Sequence, residues 1–230
     1  MNRVLVVIPA YNEAENIERV VETLKKQFPG AEYLVVNDCS TDHTVEICRE
    51  HHFTYLDLPI NLGLSGAFQA GLRYAQKYGY DCAIQFDGDG QHRSEYIAEM
   101  AEVMQEQKMD IVIGSRFLTQ KKPHTLRMLG SSLISFAIRI TTGKQLTDPT
   151  SGMRMFNRKL ITEFSTRLNY GPEPDTIAYL LRNKARVQEV QVSMDERIAG
   201  ESYLNMARSI RYMMNMLISI LFIQFFRVRK

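Results

Sequence analysis

Up to about residue 115, short β-rich runs alternate with stretches of helical periodicity, and no other feature restricts the fold of this chain as much. Val4 to Ile8, Tyr33 to Val36, Phe53 to Leu56, Cys82 to Phe86 and Ile111 to Ile113 are short, apolar and bounded by Asn, Asp, Gly or Pro. Strands buried on both faces read this way. Helices fill the gaps, so the order is that of βαβ units and a mostly parallel sheet. Asn12, with Glu15 three residues on, has the pattern of a capping box ahead of a helical face made by Ile17, Val20, Val21 and Leu24. Ile97, Met100, Ala101 and Met104 repeat that spacing and read as core.

Beyond residue 115 the alternation breaks down. A basic segment, a helix near Arg127 to Thr141, a loop "TDPTSGMRMF", another helix and a half-exposed strand in "VQEVQVSM" follow in turn. From Tyr203 onward there is no acidic residue, and Arg208, Arg211, Arg227, Arg229 and Lys230 flank "MLISILFIQFF". That run is shorter than the roughly 20 residues of a spanning helix. It suits an amphipathic helix lying in a membrane interface, with its basic residues toward anionic headgroups. A core helix or a contact between copies of the chain is the other reading. With 230 residues, one main domain over 1–200 and a helical, basic tail over 201–230 are expected.

A formal charge of +2 gives no reason to expect nucleic acid. Cys39, Cys48 and Cys82 lack the spacing of a zinc site or redox pair. The first residues, "MNRVLVVIPAYNE", lack a signal-peptide pattern and read as a first strand, so the chemistry is expected to face the cytoplasm.

Ligands of open α/β sheets collect outside the carboxyl ends of the strands. There this chain places Pro9, Ala10, Tyr11, Asn12 and Glu13, then the run from Asn37 to Asp42, then the run from Asp87 to His92. No G-x-G-x-x-G follows the first strand and no G-K-[ST] occurs, which counts against a dinucleotide dehydrogenase and a P-loop enzyme. Asp87 and Asp89, two apart at a strand end, point the same way, with glycines leaving room beside them. Two carboxylates so close call for a cation, and Mg2+ or Mn2+ bound through them takes further oxygens from a substrate diphosphate. A D-x-D pair also suits an acidic loop that merely caps a helix or stays solvated. His92 is set aside as a ligand, since oxygen ligands suffice.

The blocks "IPAYNEAENI", "VVNDCSTDHT", "NLGLSGAFQAGLRYA", "QFDGDGQH", "IGSRF" and "TSGMRMF" stand in one order over roughly residues 4 to 157. Together they resemble the family 2 glycosyltransferases of GT-A fold and, within them, the dolichyl- or polyprenyl-phosphate sugar synthases. The resemblance implies a Rossmann-like, mostly parallel α/β sheet flanked by helices. It implies that Pro9, Tyr11, Glu13 and Asp38 hold the nucleoside of a nucleoside-diphosphate sugar. Gly63 and Gly66 would line the donor pocket, and Asp87, Asp89 and Gln91 would hold Mg2+ or Mn2+ and the diphosphate. Arg116, Arg127, Ser131 and Arg197 match positions that hold the acceptor phosphate. In "ERIAGESYLN" Tyr203 stands where the family pattern has a lysine. Tyrosine brings no charge, so either another cation substitutes or the acceptor differs.

The implied reaction is a single inverting displacement that moves a sugar, with a UDP-sugar favoured, onto a polyprenyl phosphate for cell-envelope glycans. The protein would work peripherally at the cytoplasmic face of the plasma membrane, as a monomer or homo-oligomer. Extension of a saccharide or lipid-linked saccharide is the alternative. A phosphate acceptor needs no strong base, whereas a hydroxyl acceptor does, and Asp148 or Glu173 would supply it. Asp148 equally suits a sugar-hydroxyl partner or a helix-end residue. Arg154 suits either a brace for the "DPTSGMR" loop or a contact to the donor diphosphate.

Overall fold

The structure, a computed structural model, describes residues 3–123, 125–166, 171, 173–195 and 206–226. Its chain order is β1 (Val4–Ala10), α1 (Ile17–Gln27), β2 (Glu32–Asn37), α2 (Thr44–Glu50), β3 (Tyr55–Asp57), α3 (Gly63–Lys77), β4 (Cys82–Gln85), α4 (Tyr96–Glu106), β5 (Ile111–Ser115), α5 (Leu126–Thr142), β6 (Arg154–Asn157), α6 (Arg158–Thr166), α7 (Pro174–Arg182), β7 (Val187–Gln191) and α8 (Met206–Leu221). A 3-10 turn, Ile223–Phe226, follows α8. The strands form a seven-stranded sheet in the order β3-β2-β1-β4-β6-β5-β7. All but β6 run the same way, because β6 pairs antiparallel with both β4 and β5.

The apolar runs explain both faces of the sheet. Val4, Val6 and Ile8 of β1 pack with Ile17, Val20, Val21 and Leu24 of α1 and with Ile97, Met100 and Met104 of α4. Leu5 and Val7 point the other way, toward Phe68 and Leu72 of α3, Ile134 and Ile138 of α5, and Tyr179 of α7. Alternation along one strand thus feeds two cores. Gly71 lets α3 approach β1, since a Cβ there would lie 2.3 Å from Cγ1 of Val7. In α5, the Thr125 hydroxyl accepts from the Met128 amide at one end and Gly143 takes the left-handed conformation at the other.

Three expectations need correction. The capping box does not form: α1 begins at Ile17, and its N-cap residue, Asn16, makes no side-chain cap. Asn12 instead has φ 55° and takes the Thr41 amide on its side-chain oxygen at 2.8 Å, tying the β1 loop to the β2 loop. The third strand is Tyr55–Asp57, later than Phe53 to Leu56, and Phe53 is buried ahead of it among Tyr33 and His51. The loop "TDPTSGMRMF" ends in strand β6, whose Arg154 pairs with Gln85 and with Ile113. Being reversed, β6 presents its amino end at the edge where the parallel strands present their carboxyl ends. The 147–153 segment is therefore carried over that edge.

Helix α8 packs on α5 and α7. Gly130 makes the first contact close, for a Cβ there would stand 2.7 Å from the Met213 sulfur. The Ser219 hydroxyl donates to Asp175 at 2.7 Å, and Ile220 is fully buried. Among the described residues no helix is long and apolar enough to cross a membrane.

Candidate active site

Two hollows adjoin at the carboxyl edge of the sheet. The first is a cleft of about 600 Å3 lined by Pro9, Tyr11, Glu13, Asp38, Gly63 and Leu64 on one side and by Asp87, Gly88 and Asp89 on the other. The end of β1 delivers Pro9, Tyr11 and Glu13, the end of β2 Asp38, the start of α3 Gly63 and Leu64, and the end of β4 the aspartates, with β1 in register with β2 and β4. Asp38 is buried and takes the Leu62 amide on Oδ1 at 2.7 Å, while its carbonyl takes Nδ2 of Asn61 at 3.1 Å. These bonds hold the turn into α3 against the end of β2. Glu13 Oε2 takes Nδ2 of Asn16 at 2.8 Å. Gly63, at φ 71°, opens α3 in a conformation that suits glycine. Gly66 does not join the lining; a Cβ at that position would meet Cβ of Leu62 at 2.3 Å.

The second hollow, about 290 Å3, shares Leu64 and Asp87 with the first. Gln91, His92, Arg116, Thr150, Gly152, Arg154, Glu173 and Tyr212 are among the residues around it. Asp87 accepts from Nε2 of Gln85 at 3.0 Å, and its own amide donates to Nδ1 of His92 at 2.9 Å. A His92 nitrogen that accepts carries no proton, so in the neutral ring the proton lies on Nε2, which stands 3.5 Å from Asp87 Oδ2. Asp89 Oδ1 takes the Gln91 amide at 3.1 Å, and the Gln91 side-chain amide points toward the Asp195 carbonyl, 3.4 Å away.

The donor set around the aspartates fits a hard divalent cation. Gly152 leaves the Asp87 carboxylate uncovered, since a Cβ there would come within 2.8 Å of Oδ2. Asp87 and Asp89 offer oxygen ligands, and among the described residues no cluster of three His, Cys, Asp or Glu completes a protein-only cage. Mg2+ and Mn2+ suit such a partial set, because they take remaining ligands from phosphate oxygens and water.

Asp148 lies beneath the second hollow, fully buried. Arg116 grips it with Nε at 2.7 Å and Nη2 at 3.0 Å, and Thr150 donates to it at 3.1 Å. Glu189 of β7 accepts the amides of Thr147 and Asp148 and so clamps the loop before β6. Asp148 thus anchors Arg116, which also lines the hollow, and among the described residues no bond to its Nη1 is made. Ser131 is buried on α5, its hydroxyl 3.1 Å from that of Thr150. Arg127 falls in α5 with its side chain outside what the structure describes, and Arg197 and Tyr203 lie outside the described residues.

Lys122 and Tyr212 come from segments in which the sequence shows no motif, whereas Arg154 belongs to the "TSGMRMF" block. Arg154 is fully buried and donates from Nη2 to the Pro149 carbonyl at 2.6 Å. Burial lowers its pKa, and Glu173, Tyr212, Asp148 and Asp87 oppose that shift, so it is the shared countercharge of these acids. The Tyr212 hydroxyl donates to Glu173. Burial and then the Glu173 charge drive the Tyr212 pKa upward, which keeps its proton in place. Lys122 donates to the hydroxyls of Ser131 at 3.1 Å and Ser135 at 3.5 Å.

Known proteins resemble this arrangement. A family profile described as glycosyl transferase family 2 matches residues 5–164. The undecaprenyl-phosphate mannosyltransferase of Micrococcus luteus is 32% identical over 215 residues, covering 88% of each chain. The UDP-N-acetylglucosamine–dolichyl-phosphate N-acetylglucosaminyltransferase of Methanococcus voltae is 27% identical over 212 residues, covering 82% of this chain and 84% of its own. Among solved structures, glucosyl-3-phosphoglycerate synthase of Mycobacterium tuberculosis, in complex with Mn2+, UDP and phosphoglyceric acid, superposes with a TM-score of 0.69 at 20% identity. That match covers 96% of this chain and 79% of the other. At that identity it speaks for the fold.

Proposed function

The chain belongs to glycosyl transferase family 2, and from that premise we propose that it moves a sugar from a nucleoside-diphosphate donor, a UDP-sugar favoured, to a polyprenyl phosphate. The observation that carries the reading is the pair of hollows meeting at Asp87. The larger one, with Pro9, Tyr11, Glu13, Asp38 and Gly63, would take the nucleoside. The smaller one, with Arg116 on its wall, would take the acceptor phosphate, which the arginine fork suits. Asp87 and Asp89, with Gln91, would hold Mg2+ or Mn2+. Such an ion supplies charge stabilisation to the departing diphosphate. Both named relatives act on lipid phosphates by their descriptions, which supports the acceptor class.

In this reading the acceptor phosphate is already anionic and attacks the anomeric carbon without a strong base, giving inversion. Asp148, buried and bound to Arg116, positions that arginine rather than taking a proton. The alternative acceptor, a saccharide hydroxyl, draws support from Glu173, a carboxylate that lines the same hollow. The membrane part of the proposal rests on two helices. Leu126, Leu129, Leu133, Phe136 and Ile140 of α5, and Ile210, Met214 and Ile218 of α8, are exposed on helices that pack together. With Arg139 and Arg211 exposed beside them, this face would lie peripherally on the cytoplasmic surface of the plasma membrane.

The test is label transfer from UDP-glucose, UDP-N-acetylglucosamine and GDP-mannose into a short polyprenyl phosphate, with Mn2+, with EDTA and with Asp89→Asn. Metal-dependent transfer that falls by at least about a hundredfold in Asp89→Asn is expected. Donor hydrolysis without transfer to the lipid would move the acceptor to a saccharide.

A further inference from the structure

Resting on the polyprenyl-phosphate reading, we propose that Lys122 supplies the cation that the acceptor phosphate of this chain requires, at the inner end of an apolar groove that receives the first isoprene units. The family pattern puts a lysine where this chain has Tyr203. Lys122 comes from a different place, the segment between β5 and α5.

Five observations converge on it. Its ammonium is bonded to two neutral hydroxyls, Ser131 at 3.1 Å and Ser135 at 3.5 Å, and among the described residues no carboxylate stands within ion-pair distance. The carboxylates whose charge reaches it are engaged elsewhere, Asp148 on both oxygens by Arg116 and Glu189 by the amides of Thr147 and Asp148. Lys122 and Arg116 share one aromatic neighbour, the Phe117 ring, at 5.5 and 5.1 Å from its centroid, and the Arg116 charge acts on Lys122. Lys122 also lines a groove of about 450 Å3 with Pro123, Leu126, Met128 and Leu129. From Lys122 the hydroxyls of Ser131 and Thr150 lead to the wall of the catalytic hollow, which Thr150 lines.

Burial lowers the Lys122 pKa, and Asp148 and Glu189 oppose that shift without an ion pair at contact distance among the described residues, so the partly buried ammonium is costly to hold. An anion brought in by a ligand removes that cost. The occupant that matches cation and groove together is a phosphate carrying an apolar chain, since free phosphate leaves the groove empty and a free isoprenol leaves the cation unpaired. Leu126 and Leu129 belong both to the groove and to the exposed apolar stripe of α5, so the groove opens where a membrane-borne lipid would enter.

Calorimetric titration of the whole chain with farnesyl phosphate, farnesol and inorganic phosphate tests this, with Mn2+-UDP as a control on the other hollow. Lys122→Met is expected to weaken farnesyl phosphate at least tenfold, leave farnesol and Mn2+-UDP unchanged, and be largely rescued by Lys122→Arg. Lys122→Gln, which keeps a hydrogen-bonding stem, replaces the methionine variant if that one fails to fold. Unchanged farnesyl phosphate affinity in a folded Lys122→Met or Lys122→Gln protein overturns the assignment. So does inorganic phosphate binding as tightly as farnesyl phosphate, since the groove would then contribute nothing. Wild-type protein that binds farnesyl phosphate no better than farnesol would instead bring down the polyprenyl-phosphate reading itself.

Discussion

Asp148 and Asp87 are both carboxylates of the same edge, yet their surroundings give them different work. Asp87 is partly exposed, uncovered on one side by Gly152, and accepts one amide proton through Gln85. Asp148 is fully buried and accepts from both the Nε and Nη2 of Arg116 and from Thr150. Removing one partner of a fully buried pair costs about 3–5 kcal/mol, and here the stranded partner, Arg116, is 26% exposed, which reduces the cost. Asp148→Asn is therefore expected to lower the unfolding free energy read by urea titration by about 1–3 kcal/mol and to slow transfer by loosening Arg116, while the pH–rate profile keeps its shape. A lost acidic limb in that profile, with unchanged stability, would make Asp148 the base after all. The aspartates of the D-x-D pair were legible in the sequence because a strand end and two glycines fix their direction locally. Arg154 was legible as a brace of its own loop, and it does bond the Pro149 carbonyl; Lys122, Glu189 and Tyr212 were not, since each reaches the site through contacts made across the fold, such as Glu189 with Thr147 forty-two residues away.

At the scale of elements, the parallel strands could be read from their apolar runs because burial on both faces leaves little else in them. β6 could not. It is four residues long and follows a segment rich in turn formers, and only its pairing with β4 and β5 makes it a strand. Its reversed direction is what carries the 147–153 segment over the site, so a short element with a weak local signal shapes half of the second hollow. The α1 start was misplaced for a related reason: the Asn12 side chain bonds to the Thr41 amide, a tertiary partner, in preference to its own helix. Helix α3 shows the opposite case, where a residue inside a recognised block has a packing task. With a Cβ at Gly71 only 2.3 Å from Val7, Gly71→Ala forces α3 away from β1. Overpacking of this kind costs about 1–3 kcal/mol. Because α3 begins at the cleft proposed to take the nucleoside, the same variant is expected to weaken Mn2+-UDP binding severalfold; denaturant titration and calorimetry read the two effects, and an unaltered stability would remove the argument for close packing.

For the whole molecule, the formal charge of +2 is too small to draw it to any polyanion by itself. What stands out is an apolar face formed by α5 and α8, with Phe136 and Ile140 at about 60% exposure. A contiguous apolar face on an otherwise ordinary surface marks a contact, and either lipid or a second copy of the chain would cover it. Position favours lipid, since Leu126 and Leu129 line both this face and the groove beside Lys122, where the proposed acceptor phosphate would enter. Phe136→Glu combined with Met214→Glu places two charges on exposed positions of the two helices and leaves the core untouched. Both variants together are expected to cut sedimentation with vesicles containing anionic lipid by at least about tenfold, with thermal stability within about 0.5 kcal/mol of wild type. Transfer to a detergent-dispersed short polyprenyl phosphate should persist, because neither side chain lines the hollows. If instead the wild type sediments as a dimer without lipid, ignores vesicles, and becomes a monomer in the double variant, the face joins two copies and the acceptor must reach the groove past that joint.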